Sequence, residues 1–123
     1  MNDQISVLLV DDDDRNIFAL SAYLKAKKFL VHTAMDGKQC LEKLASDKVS
    51  VVLLDMMMPV MDGFETLRHI RQDKDLRDTR VISLTALAMK GDMERCLEAG
   101  ADDYCTKPVD IDVLLTKINS LLA

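Results

Sequence analysis

The sequence is poor in the residues that build disulfide-rich, zinc-binding or membrane-spanning proteins. Its 123 residues include three cysteines, two prolines, four glycines and no tryptophan, and aromatic residues make up 4%. Cys40, Cys96 and Cys105 show no CxxC or Cys/His spacing, which argues against a disulfide framework or a zinc site. We expect reduced thiols that are buried as small hydrophobic side chains. No apolar run approaches the ~20 residues that span a bilayer.

The N-terminus and the charge balance exclude further classes. Met1 to Gln4 contain no basic segment followed by an apolar one, so no secretory leader is predicted and a cytoplasmic location is expected. The chain has 21 acidic and 16 basic residues, a net charge of −5. Nucleic-acid binding needs concentrated positive charge, so neither direct nucleic-acid binding nor membrane binding is expected. The length and the 49% hydrophobic content predict a single domain over residues 1–123.

Short apolar segments alternate with segments of helical spacing. The short segments are rich in Val, Ile and Leu and predict strands at residues 5–10, 29–34, 49–54, 80–85 and 103–106. The first and third, SVLLV and SVVLL, lack polar alternation, which is typical of strands buried on both faces. Apolar residues at helical spacing follow each strand: Ile17, Leu20 and Leu24; Cys40, Leu41, Leu44 and Ala45; Phe64, Leu67 and Ile70; Met89, Met93, Cys96 and Leu97; Ile111, Leu114, Leu115, Ile118, Leu121 and Leu122. The alternation predicts an α/β fold with a doubly wound, five-stranded parallel sheet.

Some helix ends are marked by capping residues. Asp36 with Gln39 and Asp62 with Glu65 place a side-chain acceptor three residues before an amide or acidic side chain, a pattern typical of helix starts. Gly100 stands where a C-terminal cap is expected to end the fourth helix. In the acidic run that begins at Asp11, we expect Asp14 to help the first helix start.

Charged and polar residues follow four of the predicted strands. Asp11 and Asp12 come after the first strand, Asp55 after the third, Thr85 at the end of the fourth and Lys107 after the fifth. Ligands of such folds bind beyond the carboxyl ends of the strands, so these side chains are expected at one edge of the sheet.

The chemistry of this set favours phosphoryl transfer onto an aspartate. If the first and third strands are neighbours, Asp11, Asp12 and Asp55 crowd together and repel one another, which raises pKa values unless a cation binds. Carboxylate oxygens suit Mg²⁺. A hydroxyl at Thr85 and an ammonium at Lys107 suit phosphoryl oxygens. A carboxylate nucleophile beside a metal completes the set.

Four motifs in order resemble the response-regulator receiver domains of bacterial two-component signalling. They are VLLVDDDD at 7–14, LLDMMMPVMDG at 53–63, SLTA at 83–86 and GADDYCTKP at 100–108. The resemblance covers essentially the whole chain and is to receivers of the chemotaxis-regulator-like kind. It implies a flavodoxin-like (βα)5 fold with strand order 2-1-3-4-5. The segment DDDDRNIFAL at 11–20 also resembles receivers attached to hybrid histidine kinases, which leaves open that the chain is one domain of a larger protein.

The resemblance implies a role for each matching residue. Asp55 is the expected phosphoacceptor for a phosphohistidine of a sensor histidine kinase or a histidine phosphotransfer domain. Asp12, Asp55 and the backbone carbonyl of Met57 are the expected direct Mg²⁺ ligands, and Asp11 is expected to hold the ion mostly through water. Thr85 and Lys107 are expected to bind the phosphoryl oxygens. The expected protein is a signalling receiver that catalyses only its own phosphorylation and dephosphorylation.

The resemblance also implies how the signal leaves the domain. Tyr104 matches the aromatic switch position and is expected to turn inward when Thr85 moves toward the phosphate. The face made of the fourth helix, fifth strand and fifth helix is then expected to bind a downstream effector protein or domain. The Lys107-Pro108 peptide bond is expected to be cis. Met57 and Leu87 match the two positions that flank the attacking water, and these apolar side chains predict slow dephosphorylation.

Three alternatives belong to other classes. A haloacid-dehalogenase-type phosphatase would use Asp11 as nucleophile and Asp13 as second acid, but Asp55 would then have no role in the reaction. A calcium loop that starts at Asp11 would need ligands where Arg15 and Ala22 stand. A flavin-binding module of similar fold would need a phosphate-cradling loop in place of four aspartates.

Overall fold

The computed structural model describes residues 4–86 and 89–122, and the predicted alternation of strands and helices is confirmed there. Leu87 lies outside the described residues. The elements are β1 Ser6–Val10, α1 Asp14–Ala26, β2 Leu30–Ala34, α2 Gly37–Ser46, β3 Val51–Asp55, α3 Gly63–Gln72, β4 Arg80–Thr85, α4 Lys90–Glu98, β5 Asp103–Thr106 and α5 Ile111–Leu122. None of the helices among the described residues has the length and apolar content to cross a membrane.

The five strands form one parallel sheet in the order β2-β1-β3-β4-β5, which confirms the expected flavodoxin-like topology. Every residue of β1 and β3 is buried, as their unbroken apolar sequences predict. The exposed edges of the sheet are β2 and β5. Because β1 and β3 are neighbours, the loops that follow them open at the same place.

Two hydrophobic layers cover the two faces of the sheet. One layer includes residues of α2, α3 and α4, with Cys40 and Cys96 among them. The other includes residues of α1 and α5, with Cys105. All three thiols are buried and free, as expected, and burial raises the pKa of Cys40 to about 12. These thiols are therefore packing residues and poor nucleophiles.

The predicted caps are confirmed at two helices and shifted at a third. The side chains of Asp36 and Asp62 accept hydrogen bonds from the backbone N–H groups of the residues three positions on, at 2.8 and 2.9 Å. At α1 the cap is Asp13, whose Oδ1 accepts the Arg15 N–H at 2.9 Å, and Asp14 lies in the first turn. Asp14 still favours the helix start through its charge. Gly100 follows α4 with a φ of +112°, the backbone conformation that favours glycine.

The apolar spacing of α4 does not correspond to a buried stripe. Cys96 is buried, but Met89 is 73% exposed and Leu97 is 45% exposed. The helix contacts β5, an edge strand of the sheet, and Cys96 is its side chain in the hydrophobic layer on that face. As a result α4 leaves apolar side chains on the surface.

Candidate functional site

The register of the sheet brings the expected acidic residues together. Val10 pairs with Leu54, so the residues that follow, Asp11 and Asp55, end adjacent strands at the same level. Asp11, Asp12 and Asp55 each offer a carboxylate oxygen, and these oxygens all lie within 4.8 Å of one another. The predicted crowding of the three carboxylates is therefore present. Asp11 and Asp55 are buried, whereas Asp12 is exposed to solvent.

Local hydrogen bonds and close packing hold Asp55 in place. Its Oδ1 accepts the backbone N–H of Met57 at 3.0 Å, and the Met56 N–H bonds to the Leu84 carbonyl of β4 at 3.0 Å. Gly63 packs directly on this turn, because a Cβ at Gly63 would lie 2.6 Å from the Asp55 carbonyl oxygen. The glycine of the MDG motif thus allows α3 to start against the acceptor turn.

Lys107 links the two buried carboxylates. Its Nζ lies 3.1 Å from Asp11 Oδ2 and 3.4 Å from Asp55 Oδ1. The same Asp11 oxygen receives the Asn16 side-chain amide at 3.5 Å, while Asp11 Oδ1 accepts the Asp13 N–H at 2.9 Å. One ammonium therefore compensates two carboxylates that would otherwise repel each other.

The pKa values reflect burial first and charge second. Burial raises the pKa of Asp55; the Met57 N–H and the Lys107 charge oppose the increase, and the Asp11 charge adds to it. Burial lowers the pKa of Lys107, but the two carboxylates outweigh burial and the net pKa is raised. Repulsion between carboxylates, which the sequence alone suggests as the main effect, is therefore the smaller cause at Asp55.

Thr85 and Met57 lie beside this cluster. Thr85 is buried at the end of β4, and its carbonyl accepts the Lys107 N–H at 2.8 Å. Met57, whose backbone N–H bonds to Asp55, is 56% exposed. The Lys107-Pro108 peptide bond is cis, as the resemblance implies.

Tyr104 is half-buried on β5, opposite Ser83 of β4. The Nζ of Lys117, from α5, lies 4.7 Å from the centre of the Tyr104 ring. Tyr104 therefore lies two residues along the strand pair from Thr85 and Thr106, and its ring contacts a cation.

The donor set fits a divalent cation of the magnesium type. It consists of hard carboxylate oxygens from two adjacent strand ends, close enough to share one ion. Hydrogen bonds from the backbone already orient two of these carboxylates, Asp11 and Asp55. Ligands oriented in advance in this way favour metal binding.

The alternative phosphatase assignment finds no support in this arrangement. It requires Asp13 as an acid next to the nucleophile, but the Asp13 carboxylate caps α1 and its side chain is 45% exposed. The buried carboxylate that Asp11 faces across Lys107 is Asp55.

Two contacts of the site were not anticipated from the sequence. Asn16 lies in the first turn of α1, five positions after Asp11, and its spacing identifies it only once Asp11 is known to follow β1 beside the start of that helix. Lys117 shares a helix with the core residue Ile118, and nothing in its spacing indicates that it reaches Tyr104.

A cavity of about 310 Å³ also adjoins Asp11 and Lys107, between α1 and the β5–α5 connection.

Comparisons with known proteins point to one family. A model of the response regulator receiver domain matches residues 7–119. Response regulator PleD of Caulobacter vibrioides is 43% identical over 115 residues, which are 94% of this chain and 25% of PleD. The receiver domain of the Francisella response regulator 1452 superposes with a TM-score of 0.90 and 32% identity, covering 97% of both chains.

One chain of a solved complex is similar as well. The complex contains the Saccharomyces cerevisiae histidine phosphotransfer protein Ypd1 and the receiver domain of its downstream response regulator Ssk1, and the match has a TM-score of 0.88 at 26% identity, covering 94% of this chain and 87% of that one. The chain spans a quarter to about half of the length of the curated relatives it matches. It belongs to the family of response regulator receiver domains, the phosphoacceptor signalling domains of two-component systems.

Proposed function

We propose that this domain, residues 1–123, accepts a phosphoryl group on Asp55 from a phosphohistidine of a sensor histidine kinase or a histidine phosphotransfer domain. Transfer depends on Mg²⁺, and the response is read by a downstream effector protein or an attached domain. The observation that carries the proposal is the cluster of Asp11, Asp12 and Asp55, with Lys107 bound to two of its members.

The transfer step is a displacement at phosphorus. A carboxylate oxygen of Asp55 forms the new O–P bond while the P–N bond to the donor imidazole breaks, and the imidazole leaves with the electron pair and takes up a proton. The Met57 N–H orients the attacking carboxylate. Held by Asp12, Asp55 and the Met57 carbonyl, with Asp11 acting through water, Mg²⁺ would supply compensation for the charge on the phosphoryl oxygens.

Two further side chains bind the product. The Lys107 ammonium, 3.4 Å from Asp55 Oδ1, needs only a short shift to reach a phosphoryl oxygen. The Thr85 hydroxyl ends the adjacent strand and can donate to another phosphoryl oxygen. Both contacts exist only in the phosphorylated state, so they favour the conformation that forms them.

The proposed output is a change of the α4-β5-α5 surface. Movement of Thr85 toward the phosphate opens space for Tyr104 to turn inward, and the two residues lie on neighbouring strands. Exposed apolar side chains on α4 and α5, Leu97 and Val113, offer partner contacts near this position.

Phosphorylation by acetyl phosphate tests the assignment. Intact-protein mass spectrometry should show one added phosphoryl group with Mg²⁺ and none with EDTA. Asp55→Asn should abolish labelling, whereas Asp13→Asn, which keeps an α1 cap, should label as the parent does. Full labelling of Asp55→Asn would exclude Asp55 as the acceptor.

A further inference from the structure

Lys117 makes three contacts with one short segment of β5. Its Nζ donates to the Tyr104 carbonyl at 2.7 Å and to Asp103 Oδ1 at 3.0 Å, and it lies 4.7 Å from the centre of the Tyr104 ring. The Lys117 side chain is 24% exposed, so these contacts are partly shielded from water. A cation within about 6 Å of an aromatic ring centre is attracted to the ring face.

The sheet explains how a lysine of α5 reaches this ring. Cys105 packs in the layer with α5, so the neighbouring Tyr104 side chain points to the opposite face of the sheet. Because β5 is an edge strand, Lys117 can pass around its open side. There the Tyr104 N–H is bound by Asp103 Oδ1 at 2.8 Å and its carbonyl by Lys117.

Protection of the strand edge accounts for only part of this arrangement. An unpaired edge needs an acceptor for the N–H and a donor for the carbonyl, and Asp103 and Lys117 supply both. The ring contact is additional. If the Tyr104 ring turns toward the interior, both hydrogen bonds can remain while the ring leaves the ammonium.

We propose that Lys117 is a positioning residue that holds the Tyr104 ring in its outer position and thereby opposes the phosphorylated conformation. This inference rests on the proposed role of Tyr104 as the switch. The ring contact stabilises the outer state alone, so its removal should favour the inward state by about two- to fivefold, the range for a partly exposed cation–π contact. By linkage, a phosphoryl analogue should then bind more tightly by the same factor.

Beryllofluoride with Mg²⁺ is the probe of choice, because it mimics the phosphoryl group and binds the aspartate reversibly, so that an affinity can be measured. The protein contains two tyrosines and no tryptophan, so in the Tyr23→Phe background the tyrosine fluorescence comes from Tyr104 alone. Acrylamide quenching of Tyr104 reports ring exposure, and calorimetry gives the half-saturating beryllofluoride concentration. Circular dichroism checks the fold of each variant.

Lys117→Gln keeps a donor for the Tyr104 carbonyl but removes the charge. We expect it to lower the half-saturating concentration about two- to fivefold. Lys117→Arg keeps a cation and Asp103→Asn keeps an acceptor, so both should bind as the parent does. A merely structural role would leave affinity unchanged or weaken it. Lys117→Met carries the test if Lys117→Gln does not fold.

The outcomes separate this inference from the proposed function. If beryllofluoride changes Tyr104 quenching in the parent but Lys117→Gln binds no more tightly, the role of Lys117 is wrong and the switch stands. If beryllofluoride binds the parent without changing Tyr104 quenching, the switch assignment fails and the inference fails with it. Absence of binding to the parent would contradict the phosphoacceptor site itself and so overturn both.

Discussion

The Lys107 ammonium lies 3.4 Å from Oδ1 of Asp55, the residue that we propose as the phosphoacceptor. The same ammonium bonds to Asp11 at 3.1 Å, so one charge serves two buried carboxylates. Metal or phosphoryl binding must therefore redistribute contacts that already exist. This starting arrangement determines what substitutions at the site will do.

Replacement of Lys107 should affect the switch and, without metal, the stability. Lys107→Ala should still fold and accept phosphate, but it should lose most of the conformational response. In metal-free buffer its free energy of unfolding should fall by about 1–3 kcal/mol, because two carboxylates lose a charged hydrogen-bond partner. Urea unfolding with and without Mg²⁺ measures this, with Lys74→Ala as an exposed control. An equal loss at saturating Mg²⁺ would contradict the idea that the metal compensates the same charges.

Neutralising Asp55 should stabilise the metal-free protein in a pH-dependent way. Burial raises the pKa of Asp55 above its ordinary value of 3.8. A raised pKa in the folded state gives a stability contribution that is present below the unfolded pKa and is lost as pH rises through the folded pKa. Asp55→Asn should therefore raise the melting temperature at pH 7, and the gain should shrink as the pH falls toward 4.

The matched control for this pH series is Asp78→Asn, which removes an exposed charge. It should show little of the pH-dependent gain. A gain for Asp55→Asn that persists unchanged at pH 4 would argue against burial of the ionised carboxylate as the cause.

Metal affinity should depend on Asp12 much more than on its neighbour Asp13. Asp12 belongs to the carboxylate cluster, whereas Asp13 caps α1. Asp12→Asn should weaken Mg²⁺ binding by about tenfold or more. Loss of a residue that only supports a metal ligand already costs about tenfold in affinity, and loss of a direct ligand should cost at least as much. Asp13→Asn retains the cap and should bind as the parent does. Calorimetric titration compares the two, and equal affinities would exclude Asp12 as a direct ligand.

The exposure of Asp12 also changes an expectation about stability. Crowding of three carboxylates suggests that removal of Asp12 raises thermal stability. In the structure Asp12 is exposed and Lys107 compensates the other two. The gain in thermal stability expected from removing Asp12 is therefore small. Most of the gain from neutralising a carboxylate of this cluster is expected at Asp55.

Decay of the phosphorylated domain should be slow and should depend on Met57. This side chain is 56% exposed beside Asp55 and offers water no strong hydrogen bond. Met57→Asn should speed hydrolysis about threefold or more. An amide can only orient the attacking water, so this factor is smaller than the one that a positioned general base gives. Val60→Asn is a control in the same loop, since asparagine tolerates the Val60 φ of +68°. Loss of the phosphoryl group, followed by mass, decides the outcome, and similar rates for the three proteins would contradict shielding by Met57.

The amino-acid sequence by itself determined the alternation of strands and helices and the polar residues at strand ends. Unbroken apolar runs, as in β1 and β3, are local signals of burial on both faces, and capping by Asp36 and Asp62 is a bond between near neighbours. The strand order that makes β1 and β3 neighbours came from the resemblance to receiver domains, and the structure has that order. Because the carboxyl ends of neighbouring parallel strands meet, the cluster of carboxylates then followed.

Only the tertiary structure decided which side chains the charged groups contact. Lys107 and Asp11 are 96 positions apart, and their contact depends on how the whole sheet closes. The same holds for Lys117 and Tyr104, which meet because β5 is an edge strand that a side chain of α5 can reach around. The exposed apolar face of α4 has a similar origin, since burial depends on what lies opposite a helix and not on its own spacing.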